Sequence, residues 1–270
     1  YFATKNAILL DFQFIRPVAD IHLFYISSCD STQTAIITLI EQGAMGLANR
    51  FLPLALYTDD QQNGKGQRGN LWNGETDKNI AMTLAFPILS TQNIDLVLLN
   101  KALSVGVLRP LQNVIREKLF LKWPNDIVTE SKKLGGLLME ITQVNQQKFL
   151  LLGVGINVNQ LDWQNQPKAI SLARIQGGAF DRDEVMDALL FTLDEIWKKM
   201  PNLMVDYANC LWKRGQIVNL SVSSPNHSDA TEPELMSGIL QDVDQEGRIV
   251  ILDADGKLLA FHHGLVRLQF

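Results

Sequence analysis

Apolar residues in this chain come in short blocks, and the spacing inside each block predicts the element it forms. Residues 23–27 (LFYIS) read as a strand. Asp30 or Ser31 then caps a helix with Ala35, Ile36, Leu39 and Ile40 on one face, stopped at Gly43. Further strands are predicted over 54–58 and 80–86. Between them residues 59–78 are polar and glycine-rich with no sustained period, too long for an ordinary connection, which marks a functional or a disordered loop. Leu96, Leu99, Leu103 and Val107 predict a long helix over 93–118, with Pro110 placed to kink it. A strand at 119–123 follows, and then a hairpin of 134–144 and 148–157 around a polar turn at 145–147.

Two helices fit 182–199, where Val185, Leu189, Leu193 and Ile196 form one stripe, and 202–214. Beyond Arg214 the pattern changes to short strands at 217–222, 238–243, 248–252, 258–261 and 265–270, whose close spacing suits a small closed barrel. The expected class is α+β, with a boundary near Gly215 dividing residues 1–214 from 215–270.

Composition narrows the field. A chain of 270 residues that is 46% hydrophobic buries a substantial core. Its net charge of −5 argues against a protein whose main work is gripping nucleic acid, so any anion site is a local basic pocket. Cys29 and Cys210 lie in apolar surroundings and read as free buried thiols in a reducing compartment. No apolar run reaches the roughly 18 residues of a membrane span. Residues 1–14 lack a basic region and a small-residue cleavage site. The expectation is a cytoplasmic protein that binds neither membrane nor nucleic acid.

Candidate chemistry concentrates in two glycine-framed basic stretches, GKGQRGNLW from Gly64 and KWPNDIVTESKKLGG from Lys122. Each sets Lys or Arg beside backbone that glycine frees to wrap amides around phosphate or carboxylate oxygens. The first spells GxGxxG, yet poor helix formers follow it and no acidic residue stands at ribose distance, so it is not a dinucleotide fingerprint. In the second, Pro124 fixes its own φ and restricts Trp123, which presents Lys122, Asn125 and Asp126 as a cation, an amide and a candidate Mg²⁺ ligand. The run Asp242 to Gly247, with Asp253, mimics a calcium loop but is flanked by strands and reads as a hairpin turn. His22, His227, His262 and His263 are dispersed without metal spacing.

With these motifs the chain resembles the biotin protein ligase family. The resemblance is carried by Asp30-Ser31-Thr32, Gln61-Gln62 before the GKGQRGNLW loop, the Lys-Trp-Pro-Asn-Asp block, Lys132-Lys133-Leu134-Gly135-Gly136 and Gly153-Val154-Gly155-Ile156-Asn157. It implies a mixed-sheet, class II synthetase-like catalytic domain followed by an SH3-like β-barrel. It also implies a two-step reaction, in which biotin and ATP form biotinyl-AMP with Mg²⁺, and a lysine of a biotin carboxyl carrier protein, of acetyl-CoA carboxylase or a similar biotin-dependent enzyme, then takes the biotinyl group. Such chemistry needs fixed cations and amides around two anions more than a nucleophilic side chain.

Carried onto this chain, the resemblance assigns biotin contacts to Ser31, Thr32, Gln33, Gln61, Lys65, Gly66, Gln67, Lys133 and Gly136. Lys65, Arg68, Trp72, Lys122, Asn125 and Asn157 would face the nucleotide, Asp126 would hold Mg²⁺, and Lys133, Lys122 and Arg68 would act in catalysis. Lys65 and Gln67 stand where the family usually carries Arg, and Gln33 where it carries Asn. The loop is therefore less able to make bidentate oxygen contacts, and faster loss of the adenylate is expected. About 20 residues precede the first catalytic strand, so a ligase without the roughly 60-residue operator-binding domain of some relatives is expected. Edge-strand pairing with the acceptor, or with a second copy as a homodimer, is open. A lipoate ligase and a non-catalytic docking module are the rival readings.

Overall fold

The computed structural model describes residues 11–43, 52–72, 74–89, 91–92, 94–163, 166–200, 205–222 and 234–270. The chain divides into two compact units, one of Tyr1–Ser90 with Leu138–Gly155, the other of Thr91–Leu137 with Ile156–Phe270.

In the first unit the strands β1 (Gln13–Val18), β2 (Ile21–Cys29), β3 (Leu54–Gln61) and β6 (Ile80–Ile88) lie side by side in that order, followed by β10 (Gln147–Ile156) and the later part of β9 (Lys133–Val144). β2 and β3 run parallel, which the intervening helix α1 (Thr32–Glu41) makes feasible as a crossover, while β1–β2 and β3–β6 are antiparallel. The face of α1 predicted from its spacing, Ala35, Ile36, Leu39 and Ile40, packs against Phe24, Ile26, Leu54, Leu56, Phe149 and Leu151. The loop expected over 59–78 contains a two-stranded ribbon, β4 (Gly64–Lys65) and β5 (Leu71–Trp72), joined by a 3₁₀ turn at Gln67–Gly69.

The second unit is built on α2 (Leu96–Val114), α3 (Leu172–Gln176), α4 (Arg182–Lys199) and α5 (Tyr207–Cys210). Asp95 caps α2 by accepting from the amides of Val97 and Leu98, and Asp181 caps α4 through Asp183 and Glu184. Pro110 sits inside α2. The helix ends at Val114, short of the expected Lys118, because Gln112 turns the chain: its amide donates to the Glu117 carbonyl and accepts from the Leu119 amide. The helix expected over 202–214 is a single turn among the described residues, which omit 201–204. Leu211 pairs with Leu121 instead and the Trp212 amide donates to the Leu121 carbonyl, so strand geometry replaces helix there.

In this unit β7 (Phe120–Lys122) and β8 (Asp126–Val128) form a tight hairpin whose Trp123–Pro124 peptide is cis, and β8 pairs with the first residues of β9. The carboxyl-terminal strands β11 (Ile217–Val222), β12 (Glu234–Val243), β13 (Ile249–Leu252), β14 (Leu258–Phe261) and β15 (Val266–Leu268) form an antiparallel sheet in the order β14-β13-β12-β11-β15. No pairing between β14 and β15 is present among the described residues, so the expected closed barrel is an open sheet here. The calcium-like run is the β12–β13 turn: Asp244 accepts from the Glu246 and Arg248 amides and from the Arg248 guanidinium, which meets its needs without a metal. Both cysteines are free, Cys29 buried as expected and Cys210 only half-buried.

Candidate active site

Each unit carries one cluster of the residues singled out above. In the first, Ser31 is the N-cap of α1 by its extended backbone, and its side chain makes no capping bond. Thr32 is the centre of the cluster: its amide and hydroxyl both meet Gln61 Oε1, at 2.9 and 3.1 Å, and its hydroxyl lies 2.9 Å from that of Thr83. Gln33, 4% exposed, donates from Nε2 to the Leu138 carbonyl, and its Oε1 has no hydrogen-bond partner among the described residues. That atom is a buried acceptor whose desolvation nothing among the described residues offsets, the kind of group a bound donor satisfies. Gln61 reaches Thr32 because Gly64 has no side chain: a Cβ there would collide with the Gln61 amide and the Trp72 carbonyl.

The ribbon positions Trp72 in the same way. A Cβ on Gly155 would stand 2.6 to 2.9 Å from three indole carbons, so the ring lies directly on the glycine backbone of β10. Gly153, two residues earlier and therefore on the same face, has the Gln33 carboxamide against it. The Val-spaced glycine pair thus makes a flat strip covered by Gln33 and Trp72. Lys65 is exposed on β4, Gly66 donates to the Asn70 carbonyl, and Gln67 accepts from the Asn70 amide, which closes the turn. The Arg68 side chain lies outside what the structure describes.

In the second unit the Lys133 ammonium stands 2.6 Å from Asp126 Oδ1, and both groups overlie Gly136, where a Cβ would come 3.4 to 3.5 Å from them. Lys133 is 36% exposed and Asp126 19%. The hairpin that carries Asp126 is fixed by Asn125, whose amide donates to the Leu137 carbonyl and whose carbonyl accepts from the Leu137 amide. Asn157 is buried and works on backbone: it donates to the carbonyls of Ile170 and Lys133, while its own amide and carbonyl meet Leu134 and Leu172.

Lys122 behaves differently from the expected phosphate cation. It is 8% exposed, donates to the Leu268 carbonyl at 2.8 Å, and sits 4.5 Å from the centroid of the Phe270 ring and 5.8 Å from that of Trp212. Burial pushes its pKa down to about 8, helped by Lys133, Arg267 and Lys168 and opposed by Asp126.

Sequence reasoning missed Thr83, the Leu138 carbonyl and the partners of Lys122. Thr83 had a signal, since it is the polar residue inside the otherwise apolar strand of residues 80–86. Leu268 and Phe270 had none, lying far along the chain. Of the four histidines, His227 is outside the described residues. Among those described, no three His, Cys, Asp or Glu side chains gather as a metal site, and no helix is long and apolar enough to cross a membrane.

Comparison with known proteins bears on both clusters. Residues 26–157 match the model of the Biotin/lipoate A/B protein ligase family. The chain is 28% identical over 218 residues to the biotin--[acetyl-CoA-carboxylase] ligase of Mycobacterium tuberculosis, covering 78% of this chain and 77% of that one. It is 27% identical over 188 residues to a bifunctional ligase/repressor of Bacillus subtilis, of which it spans 54%. Its fold, a mixed α/β sheet, is that of a biotin protein ligase from Aquifex aeolicus solved with biotin and ATP, at a TM-score of 0.70 and 24% identity over 92% of this chain and 98% of that one. The matched segment, residues 26–157, holds both lysine-bearing motifs and the glycines of both clusters, and over those residues the chain matches the Biotin/lipoate A/B protein ligase family.

Proposed function

We propose that this chain is an ATP-dependent ligase that activates biotin as biotinyl-5′-AMP and passes it to a lysine of a biotin carboxyl carrier protein. The observation that carries the reading is the Lys133 ammonium, held by Asp126 above Gly136 yet still partly open to solvent. A cation so placed suits two anions that must react: a biotin carboxylate oxygen attacks the α-phosphorus, the bond to pyrophosphate breaks, and charge growing on the phosphoryl oxygens is met by a fixed ammonium. In the second step the acceptor lysine, as a free amine, attacks the mixed anhydride. An amide forms, AMP leaves, and the amine loses a proton.

Ser31, Thr32, Gln33 and Gln61 are assigned to biotin; Gln33 Oε1 offers an acceptor for a ureido N–H. Lys65, Gly66 and Gln67 are assigned to the loop over the intermediate, and Arg68, Trp72 and Asn125 to the nucleotide. Asp126 is assigned to Mg²⁺, which keeps waters and substrate phosphates and so needs few protein carboxylates; bound with ATP, it would neutralise phosphate charge. The names of the Mycobacterium and Bacillus relatives support the ligase reading and, for the former, a carboxylase acceptor. The boundary at Gly215, the SH3-like class of the last sheet, a cytoplasmic location and a homodimer paired along a free strand edge belong to the same proposal.

The test is exchange of labelled pyrophosphate into ATP. Exchange that requires biotin is expected, and Lys133→Ala should slow it about 10²- to 10³-fold. Lipoate-dependent exchange would select the lipoate ligase, and none at all the docking module.

A further inference from the structure

Lys122 and Trp123 are neighbours in the strand-to-turn segment before Asp126, and both send their side chains to backbone carbonyls of the carboxyl-terminal sheet. Lys122 Nζ donates to Leu268 on β15, and Trp123 Nε1 donates to Gly247 in the β12–β13 turn at 3.1 Å. The same turn is drawn onto α2 by Lys101, whose ammonium donates to the carbonyls of Val243 and Asp244 at 2.7 and 2.9 Å. Lys122 stands directly opposite Asp126 across the β7–β8 hairpin. The hairpin that presents Asp126 is therefore held from two sides of one sheet, by side chains that are themselves buried.

A lysine that binds phosphate has to offer its ammonium to the ligand. The Lys122 ammonium is enclosed by the faces of Phe270 and Trp212 and bonded to a carbonyl, so reaching a phosphate means leaving the Leu268 carbonyl and both rings. Lys133 has the opposite arrangement, one carboxylate partner and an open side.

We propose that Lys122, with Trp123, is a positioning residue: through it the carboxyl-terminal sheet fixes the hairpin that orients Asp126 and, through Asp126, the Lys133 ammonium. This rests on the ligase reading and adds to it a role for a sheet that otherwise has none in the reaction. Its consequence is a characteristic split. Loosening the hairpin misplaces Lys133 when the transition state forms and leaves initial binding of ATP almost untouched, whereas loss of a phosphate ligand weakens ATP binding directly.

The experiment measures biotin-dependent pyrophosphate exchange for the unaltered chain, Lys122→Met, Lys122→Arg and Trp123→Phe, with rates expressed per biotin-binding chain counted by equilibrium titration, so that unfolded protein does not lower kcat. The expected result for Lys122→Met is a kcat about 10- to 100-fold lower with KM for ATP within about threefold. Lys122→Arg, which keeps a charged donor for the Leu268 carbonyl, should recover most of that loss, and Trp123→Phe should show the same split more weakly. Where Lys122→Met fails to fold, Trp123→Phe carries the result. A KM for ATP raised tenfold or more at unchanged kcat, or kinetics unaltered in both Lys122→Met and Trp123→Phe, overturns the positioning role alone. Absence of biotin-dependent exchange in the unaltered chain overturns the ligase reading and this role with it.

Discussion

Replacing Lys122 by Met gives a stability signature whose sign and size follow from where the ammonium sits. In the folded chain its pKa is lowered from 10.5 to about 8, first by burial and then by Lys133, Arg267 and Lys168, against the attraction of Asp126. Below pH 8 both folded and unfolded chains carry the proton, and the group adds no pH dependence. Between 8 and 10.5 the folded amine is neutral while the unfolded one is charged, so the unfolded state binds more protons and stability rises with pH. At about 1.4 kcal/mol per pH unit, the full window is worth about 3 kcal/mol, present above 10.5 and lost as pH falls through 8. Denaturant unfolding of the unaltered chain and of Lys122→Met, measured from pH 7 to 10.5, isolates this group. The alkaline titration of Cys29, raised by burial to about 11, and of the buried Tyr207, also raised, is common to both proteins and cancels in the difference. The unaltered chain should gain on the variant steadily above pH 8. A difference that stays flat across the window would show that the ammonium is well solvated, and the enclosure by Phe270 and Trp212 would not describe the molecule in solution.

Three other expectations concern the first unit. Gly155→Ala puts a methyl group within 2.6 Å of the Trp72 ring, and because the ring ends a side chain on a short ribbon it moves rather than the strand. Unfolding should change by about 1 kcal/mol while KM for ATP rises several-fold, and an unaltered KM would remove Trp72 from the nucleotide site. Thr32→Val keeps the shape but takes a donor from Gln61 and a partner from Thr83, at a cost of about 1–3 kcal/mol in stability, and biotin affinity by calorimetry should fall alongside. Lys65→Arg combined with Gln67→Arg should lengthen the half-life of bound biotinyl-AMP, and an unchanged half-life would show that loop charge does not govern its retention.

What was legible in the chain depended on whether the deciding forces were local. The helix Arg182–Lys199 was read to its ends, because Asp181 caps it and its apolar stripe is continuous. The strand Ile217–Val222 was read equally well from its alternation of buried and exposed positions. The ribbon of β4 and β5 was not, since strands of two residues carry no period, and its form follows from contacts at Gly64 and Gly155 with groups elsewhere in the sequence. The short α5 failed for a related reason: the apolar spacing after residue 202 suits a helix, but pairing of Leu211 and Trp212 with Leu121 prevails. Among the candidate site residues, the family resemblance named Thr32, Gln61, Lys133 and Asp126 one by one, and the contacts of Thr32 with Gln61 and of Lys133 with Asp126 are added by the fold. The resemblance made Lys122 a nucleotide cation and gave no sign of its hydrogen-bond acceptor, which is 146 residues away.

The contrast between the two lysines carries the functional argument furthest. An ion pair as open as that of Lys133, 36% exposed, and Asp126, 19% exposed, contributes about 0–1 kcal/mol to folding, because solvent screens it and two side chains must be held in register. Stability therefore does not account for the pair. Nor does it account for Lys122, whose burial lowers its pKa and so opposes folding at neutral pH. On the proposed ligase reading each arrangement has a use: an ammonium that would meet two anions is left accessible, a carboxylate would aim it, and the cation behind the carboxylate is enclosed, where it would neither compete for phosphate nor let the hairpin drift.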